Sequence, residues 1–138
     1  MASVTCTIEP SVIEDVKNVR FGTNTAKDIT FNAYVAMINA EQKVVNDPLE
    51  DVHDLKSLVE ELPDDSPRYI VLSYKKVYED MRVAYPLVFI YYCPETASPQ
   101  KCMLYASTKN LFESQNKLSK SCQLQNKENL TQEWLDMN

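Results

Sequence analysis

Two apolar runs near the middle of the chain dominate its hydropathy pattern. One extends from Ile70 to Leu72 and the other from Val83 to Tyr92, and both are nearly continuous rather than alternating. A strand that is apolar on both sides is usually covered on both sides. We therefore expect two central strands of a sheet with helices on each face, and the charged segment from Lys75 to Arg82 should form a hairpin tip in solvent. Pro86, which cannot donate a ladder hydrogen bond, should lie at a bulge or where a neighbouring strand is missing.

Apolar residues at helical spacing predict helices on either side of these strands. The first covers residues 9–21, with Pro10 in its first turn, and should end near Gly22, the only glycine. The second covers residues 51–63 and stops at Pro63. It should turn the following residues inward: Leu55, Leu58, Val59 and Leu62. The third covers residues 98–117, where Ser98 is a good N-cap residue.

The remaining segments complete an order of α, β, β, α, β, β, α, β, α. Residues 29–39 and 43–47 are predicted to be strands joined by a turn, and residues 119–126 a last strand. Thr131 opens a short terminal helix anchored by Trp134 and Leu135. This order predicts an α/β (α+β) fold, with a mixed sheet between helix layers, in a single domain of residues 1–138.

The charge balance and the longest apolar run exclude several classes of function. A net charge of -6 argues against nucleic acid and membrane surfaces as partners, because phosphate contacts depend on Lys and Arg. The longest apolar run is too short to span a bilayer. The first residues lack the charged and apolar regions of a signal peptide. We therefore expect a cytoplasmic protein.

No arrangement of residues indicates catalysis or a bound metal. His53 is the only histidine and is predicted to lie on the polar side of the second helix. The cysteines match no zinc or redox spacing and are expected to be thiols: Cys6, Cys93, Cys102 and Cys122. We predict a protein that is not an enzyme and that has no cofactor and no metal.

The third predicted helix has one face that is suited to binding a partner. Projected at about 100° per residue, its core side comprises Leu104, Tyr105, Thr108, Leu111 and Phe112. The other side comprises Met103, Ala106, Asn110, Ser114 and Lys117. A flexible methionine beside small residues is suited to a partner's groove, although single exposed apolar residues are also common without any function. Lys101 and Lys109 would add positive charge near this face.

The hairpin tip has two readings. Charged tips commonly keep a hairpin soluble and protect its edges. Tyr78 and Met81 nevertheless favour a binding role, since aromatic residues, Met and Arg are enriched at interfaces.

Several sequence motifs resemble those of a known protein family. The order of elements and the stretch "MLYASTKNLF" from Met103 to Phe112 resemble the actin-depolymerising factor homology (ADF-H) domain. Residues 61–94, from "ELPDDSPRYIV" through "VAYPLVFIYYCP", and "ENLTQEWL" from Glu128 are similar to the glia maturation factor family within it. The resemblance covers essentially the whole chain.

The resemblance implies a non-enzymatic regulator of the actin cytoskeleton. Members of the glia maturation factor family bind the actin-related protein 2/3 complex, inhibit branched nucleation, promote debranching and bind actin itself poorly. The matching chain is expected to be a monomer with that complex as its partner and actin as a further candidate, located in the cytoplasm at branched networks, with the nucleus as a further candidate location. The alternative is a cofilin-type protein that severs or depolymerises filaments.

The resemblance also implies two partner-binding surfaces. The first docks in the groove of the actin-related protein 2 subunit, and its matching positions are Ser3, Lys101, Met103, Ser107, Lys109 and Asn110. The second contacts actin, and its matching positions are Lys75, Lys76, Glu79, Asp80, Arg82, Glu133 and Asp136. The family's hairpin often has glycine where Met81 stands, and the start of the chain resembles cofilin starts in which a serine is phosphorylated, so Ser3 is a candidate phosphorylation site.

Overall fold

A six-stranded mixed sheet forms the centre of the structure. The computed structural model describes residues 7–25, 31–39, 41–47, 55–74, 76–84, 87–116, 118, 121–131 and 133–134. The strands are β1 (Thr7–Ile8), β2 (Phe31–Ile38), β3 (Lys43–Asn46), β4 (Arg68–Tyr74), β5 (Lys76–Val77), β6 (Val83–Ala84), β7 (Leu87–Tyr92) and β8 (Ser121–Leu124). The sheet has the order β1-β3-β2-β4-β7-β8, and β5 pairs with β6 in a separate hairpin. The outer pairs β1–β3 and β7–β8 are parallel and the inner pairs antiparallel, which confirms the predicted mixed sheet.

The apolar run at residues 70–72 lies in a central strand as predicted, but the run that begins at Val83 is divided. Only Leu87–Tyr92 forms a central strand, whereas Val83–Ala84 pairs with β5 in the separate hairpin, where Val83 is 46% exposed. In β4, Val71 pairs with Tyr34 on one side and Phe89 on the other. Successive residues of β4 then enter different cores: Tyr69 and Val71 on one face, and Ile70 and Leu72 on the opposite face. Because both faces are covered, β4 and β7 show no apolar–polar alternation.

Helices cover each face of the sheet. The helices α1 (Pro10–Thr25) and α3 (Pro99–Gln115) pack on one face. Their contribution to that core comes from Val12, Val16, Tyr105 and Phe112. The short helix α2 (Leu55–Glu61) packs on the other face through Leu58, together with Leu62, Leu130 and Trp134. None of the helices described is long and apolar enough to cross a membrane.

Some element boundaries differ from the predictions. The first helix continues past Gly22 to Thr25, because one glycine in a helix costs only about 1 kcal/mol and packing of the helix on the sheet outweighs that cost. The pattern also did not predict β1 or the 3₁₀ helix Lys127–Asn129, which are too short to show a period. Residues 51–54 with His53, Pro86 and most of the predicted terminal helix lie outside the described residues.

Candidate protein-binding surfaces

The start of α3 is defined by a capped first turn. The Ser98 hydroxyl accepts a hydrogen bond from the Lys101 backbone N–H at 3.2 Å, and Pro99 follows as the first helical residue. Serine at the N-cap satisfies one of the N–H groups that a helix start leaves without partners, and proline there loses nothing, since it has no N–H. The sequence therefore places the beginning of the helix correctly.

Tyr105 fixes the rotation of α3 about its own axis. Its hydroxyl accepts a hydrogen bond from the Ile38 backbone N–H at 2.8 Å, at the end of β2. The Tyr69 hydroxyl donates to the Tyr105 carbonyl oxygen. Further along, the Phe112 ring stacks on Tyr69, with centroids 4.9 Å apart. Burial raises the pKa of Tyr105 above its ordinary value of 10.0.

This anchoring leaves the opposite side of α3 in solvent. Met103 is 73% exposed, although it stands two positions before the buried Tyr105. The exposed residues around and beyond it are Ala106, Ser107, Asn110 and Ser114. Thr108 is buried, and its hydroxyl donates to the Leu104 carbonyl oxygen at 3.0 Å. The division into an inner and an outer face agrees with the helical projection.

The two lysines of the first surface are placed differently. Lys101 is exposed, and its ammonium group lies 3.4 Å from the Ser66 hydroxyl. Lys109 is half-buried and forms an ion pair of 3.1 Å with Glu113 one turn further on. Lys101 is thus available to an incoming acidic group, whereas Lys109 already has a partner. Ser3 lies outside the described residues.

A hollow beside the first turn of α3 was not anticipated from the pattern. Its volume is about 420 Å³, and Lys101, Leu104, Ser66 and Arg68 contribute to its wall. The Arg68 guanidinium is held by Asp47 at 2.8 Å. No local signal could have revealed this hollow, because its wall combines α3 with the end of β2 and the start of β4.

The hairpin tip is an ordered turn with an exposed methionine. The Tyr78 N–H donates to the Arg82 carbonyl oxygen at 2.8 Å, and the Met81 N–H donates to the Tyr78 carbonyl oxygen at 2.9 Å. Met81 has a φ of 69° and is 80% exposed. The Arg82 guanidinium lies 4.6 Å from the centroid of the Tyr78 ring, a cation–π contact.

The structure describes five of the seven predicted members of the second surface. Glu79, Asp80 and Arg82 are exposed together at the tip, where Asp80 and Arg82 form an ion pair of 3.6 Å. Glu133 is exposed close to the end of the described chain, and Lys76 belongs to β5. Lys75 and Asp136 lie outside the described residues. In the described parts of the chain, no cluster of three or more His, Cys, Asp or Glu side chains is arranged to hold a metal ion.

The fold is that of a known class of actin-binding protein. The family of cofilin/tropomyosin-type actin-binding proteins matches residues 5–138. Glia maturation factor beta of Mus musculus is 36% identical over 135 residues, covering 96% of this chain and 91% of the relative. Glia maturation factor of Drosophila melanogaster is 33% identical, covering 94% of this chain and 92% of the relative.

A solved structure supports the same assignment. The solution structure of glia maturation factor from Caenorhabditis elegans superposes with a TM-score of 0.78 at 33% identity, covering 100% of this chain and 98% of that one. The chain belongs to the glia maturation factor family, within the cofilin-type actin-binding proteins. It is therefore an actin-regulatory protein, and the predicted α+β ADF-H fold is confirmed.

Proposed function

We propose that this protein is a non-enzymatic regulator of branched actin networks. It binds the actin-related protein 2/3 complex, here called the branching complex, inhibits nucleation of branches and promotes debranching. It acts as a monomeric single domain in the cytoplasm, at branched networks. The observation that supports this most strongly is the outer face of α3, where Met103 is 73% exposed on a helix whose other face is fixed to the sheet.

The outer face of α3 has the properties of a docking element. Methionine is flexible and polarisable, and it adapts to irregular apolar grooves. The small neighbours Ala106 and Ser107 let a partner approach the helix closely, while Lys101 offers an exposed positive charge at its start. Seated in the groove of the actin-related protein 2 subunit, this face would compete with an actin subunit for the same site.

The hairpin tip supplies a second contact, with actin. It presents Glu79, Asp80 and Arg82 to solvent on a turn that its own hydrogen bonds keep in shape. A protein that holds the branching complex through α3 and actin through the hairpin applies strain at the branch junction. Debranching then requires both surfaces, whereas inhibition of nucleation requires only the first.

Co-sedimentation with the branching complex and, separately, with actin filaments tests the proposal. We expect binding to the complex and little binding to filaments. Strong filament binding with filament shortening, and no affinity for the complex, would instead establish the cofilin-type severing factor.

Replacing Met103 with aspartate tests the role of the helix face. Met103→Asp would bury an unpaired carboxylate in the groove, and we expect the affinity for the branching complex to fall at least about tenfold, which corresponds to about 1.4 kcal/mol. Met81→Asp is the matched control, because Met81 is the other strongly exposed methionine among the described residues. It should keep full affinity for the complex and lose debranching activity, and unchanged affinity in Met103→Asp would show that α3 is not the docking element.

Phosphorylation of Ser3 would act on the same surface. The N-terminal segment adjoins the docking helix in the proposed complex, and a phosphate adds about -1.5 to -2 charges at pH 7. Ser3→Glu should therefore bind the branching complex more weakly than Ser3→Ala in the same sedimentation assay. Equal binding by the two variants would remove Ser3 from the contact.

A further inference from the structure

Two cysteines from different elements meet beside the docking helix. Cys93 directly follows β7, and Cys102 lies in the first turn of α3. Their sulfur atoms are 2.6 Å apart, and both side chains are partly exposed. A disulfide has a sulfur–sulfur distance of about 2.05 Å, so only a small approach of the two side chains separates this contact from a bond.

The backbone around both cysteines is held in place. The Cys93 N–H donates to the Leu124 carbonyl oxygen at 2.9 Å, which fixes Cys93 to the end of β8. The Tyr91 hydroxyl donates to the Cys102 carbonyl oxygen at 3.1 Å. Between the cysteines, the Ala97 N–H closes a turn onto the Pro94 carbonyl oxygen at 3.1 Å. The two sulfurs are thus brought together by ordered structure.

We propose that Cys93 and Cys102 form a redox-responsive pair, which hydrogen peroxide converts into an intrachain disulfide that ties the first turn of α3 to the end of β7. Formation of the disulfide does not depend on the proposed function. Only the effect of the disulfide on binding rests on that function. Lys101 and Met103 stand on either side of Cys102, so the disulfide would form at the start of the docking face. Disulfides of this kind in reducing compartments are typically transient and regulatory.

The reaction balances with one peroxide and two thiols. The Cys93 thiolate attacks one peroxide oxygen, an S–O bond forms, the O–O bond breaks, and the departing hydroxide leaves as water after taking a proton. The Cys102 sulfur then attacks the Cys93 sulfur, the S–S bond forms, and the S–O bond breaks. The second hydroxide takes the proton of Cys102, so two thiols are oxidised while peroxide is reduced to two waters.

The order of these two steps follows from the environment of Cys102. Its hydrogen bond with Cys93, and then its burial, raise the pKa of Cys102 to about 11. The raised pKa disfavours Cys102 as the first attacker, since the thiolate is the nucleophile. The first attack is therefore assigned to Cys93 and the second to Cys102.

Cys122 does not compete for this bond. It lies in β8 and packs against the core on the face covered by α2, whereas Cys93 packs against the core on the face covered by α1 and α3. The sheet thus separates Cys122 from the pair, and Cys122→Ser is a control variant that leaves the pair intact.

Mapping of thiols after oxidation tests the bond directly. The full chain is treated with one equivalent of hydrogen peroxide, alkylated with N-ethylmaleimide, digested and examined by mass spectrometry. We expect a Cys93–Cys102 crosslink that dithiothreitol reverses, in the wild type and in Cys122→Ser but not in Cys93→Ser. Alkylation of both Cys93 and Cys102 after oxidation, or a crosslink to Cys6 or Cys122 instead, would overturn the proposal.

Two further readouts separate this proposal from the proposed function. The oxidised protein should melt about 5 °C higher than the reduced protein, since a crosslink restricts the unfolded chain, and Cys93→Ser should show no peroxide-dependent shift. The oxidised protein should also dissociate from the branching complex about threefold more slowly, because the disulfide restricts the docking helix before it binds.

These outcomes bear on different hypotheses. Absence of the melting shift, or equal dissociation rates of the oxidised and reduced forms, would contradict the proposed disulfide. Failure of the reduced protein to bind the complex would contradict the proposed function alone.

Discussion

A single tyrosine shows how one side chain orients the docking helix. Tyr105 reaches from α3 to the backbone of β2, where its hydroxyl satisfies the Ile38 N–H. The position is buried, so water cannot replace that hydrogen bond if the hydroxyl is removed. The outward direction of Met103 depends on this anchor, because the two residues share one helical turn.

Removal of the Tyr105 hydroxyl should destabilise the protein. Tyr105→Phe leaves the Ile38 N–H without its acceptor, and we expect a loss of about 1–3 kcal/mol in the free energy of unfolding, measured by urea denaturation. Tyr34→Phe is the control, because the Tyr34 hydroxyl is also buried but no described group lies within hydrogen-bond geometry of it, the Asp15 carboxylate being only nearby. That variant should be neutral or slightly stabilising, and an equal loss in both variants would show that the Tyr105 hydrogen bond contributes nothing specific.

At the scale of elements, the two exposed methionines occupy opposite backbone environments. Met81 stands in the β5–β6 turn with a φ of 69°, a conformation that favours glycine. Met103 stands inside α3, where glycine is unfavourable. Keeping a bulky side chain at the turn costs stability, which is consistent with a role for Met81 in contact with a partner.

The same substitution at these two positions should have opposite effects. Met81→Gly is expected to raise the free energy of unfolding by about 0.5–1 kcal/mol, since it relieves the left-handed conformation. Met103→Gly should lower the free energy of unfolding by about 1 kcal/mol, through the helical cost of glycine. Denaturant midpoints of the two variants measure both effects, and a destabilised Met81→Gly protein would mean that the Met81 side chain supports the turn.

At the scale of the whole molecule, the buried tyrosines link stability to alkaline pH. Burial, and then the nearby Asp15 carboxylate, raise the pKa of Tyr34 above its ordinary value of 10.0. Burial, and then a hydrogen bond with Cys93, raise the pKa of Tyr91 in the same direction. These tyrosines keep their protons in the folded protein at a pH where they lose them in the unfolded chain.

The sign of the pH dependence follows from this difference in bound protons. The stability that the neutral tyrosines provide is complete below about pH 10 and falls as the pH rises above it, by up to about 1.4 kcal/mol per pH unit for each tyrosine. Urea denaturation between pH 8 and 11, in the presence of a reducing agent, should show the decline. Tyr34→Phe should decline less steeply, and equal slopes for the variant and the wild type would exclude Tyr34 as a contributor.

Most of the helices and strands and their buried faces were predictable, because the residues that each element buries recur at a regular spacing along the sequence. The continuous apolar character of residues 70–72 identified a strand covered on both sides, and the helical projection separated Met103 from Tyr105 correctly. The end of α1 was predicted wrongly, because the effect of Gly22 on a helix depends on packing against the sheet. The assignment of residues to the two binding surfaces stays a prediction for every member, and Ser3, Lys75 and Asp136 also lie outside the described residues.

Apolar spacing and capping residues were enough to determine the main helices and strands and the sides they bury, since each depends on neighbours a few positions apart. The tertiary structure alone decided which distant residues meet. Tyr105 bonds a backbone group 67 positions away, and Cys93 reaches Cys102 because a strand end and a helix start converge. Such contacts depend on how the elements pack in three dimensions, and no periodicity along the chain encodes that packing.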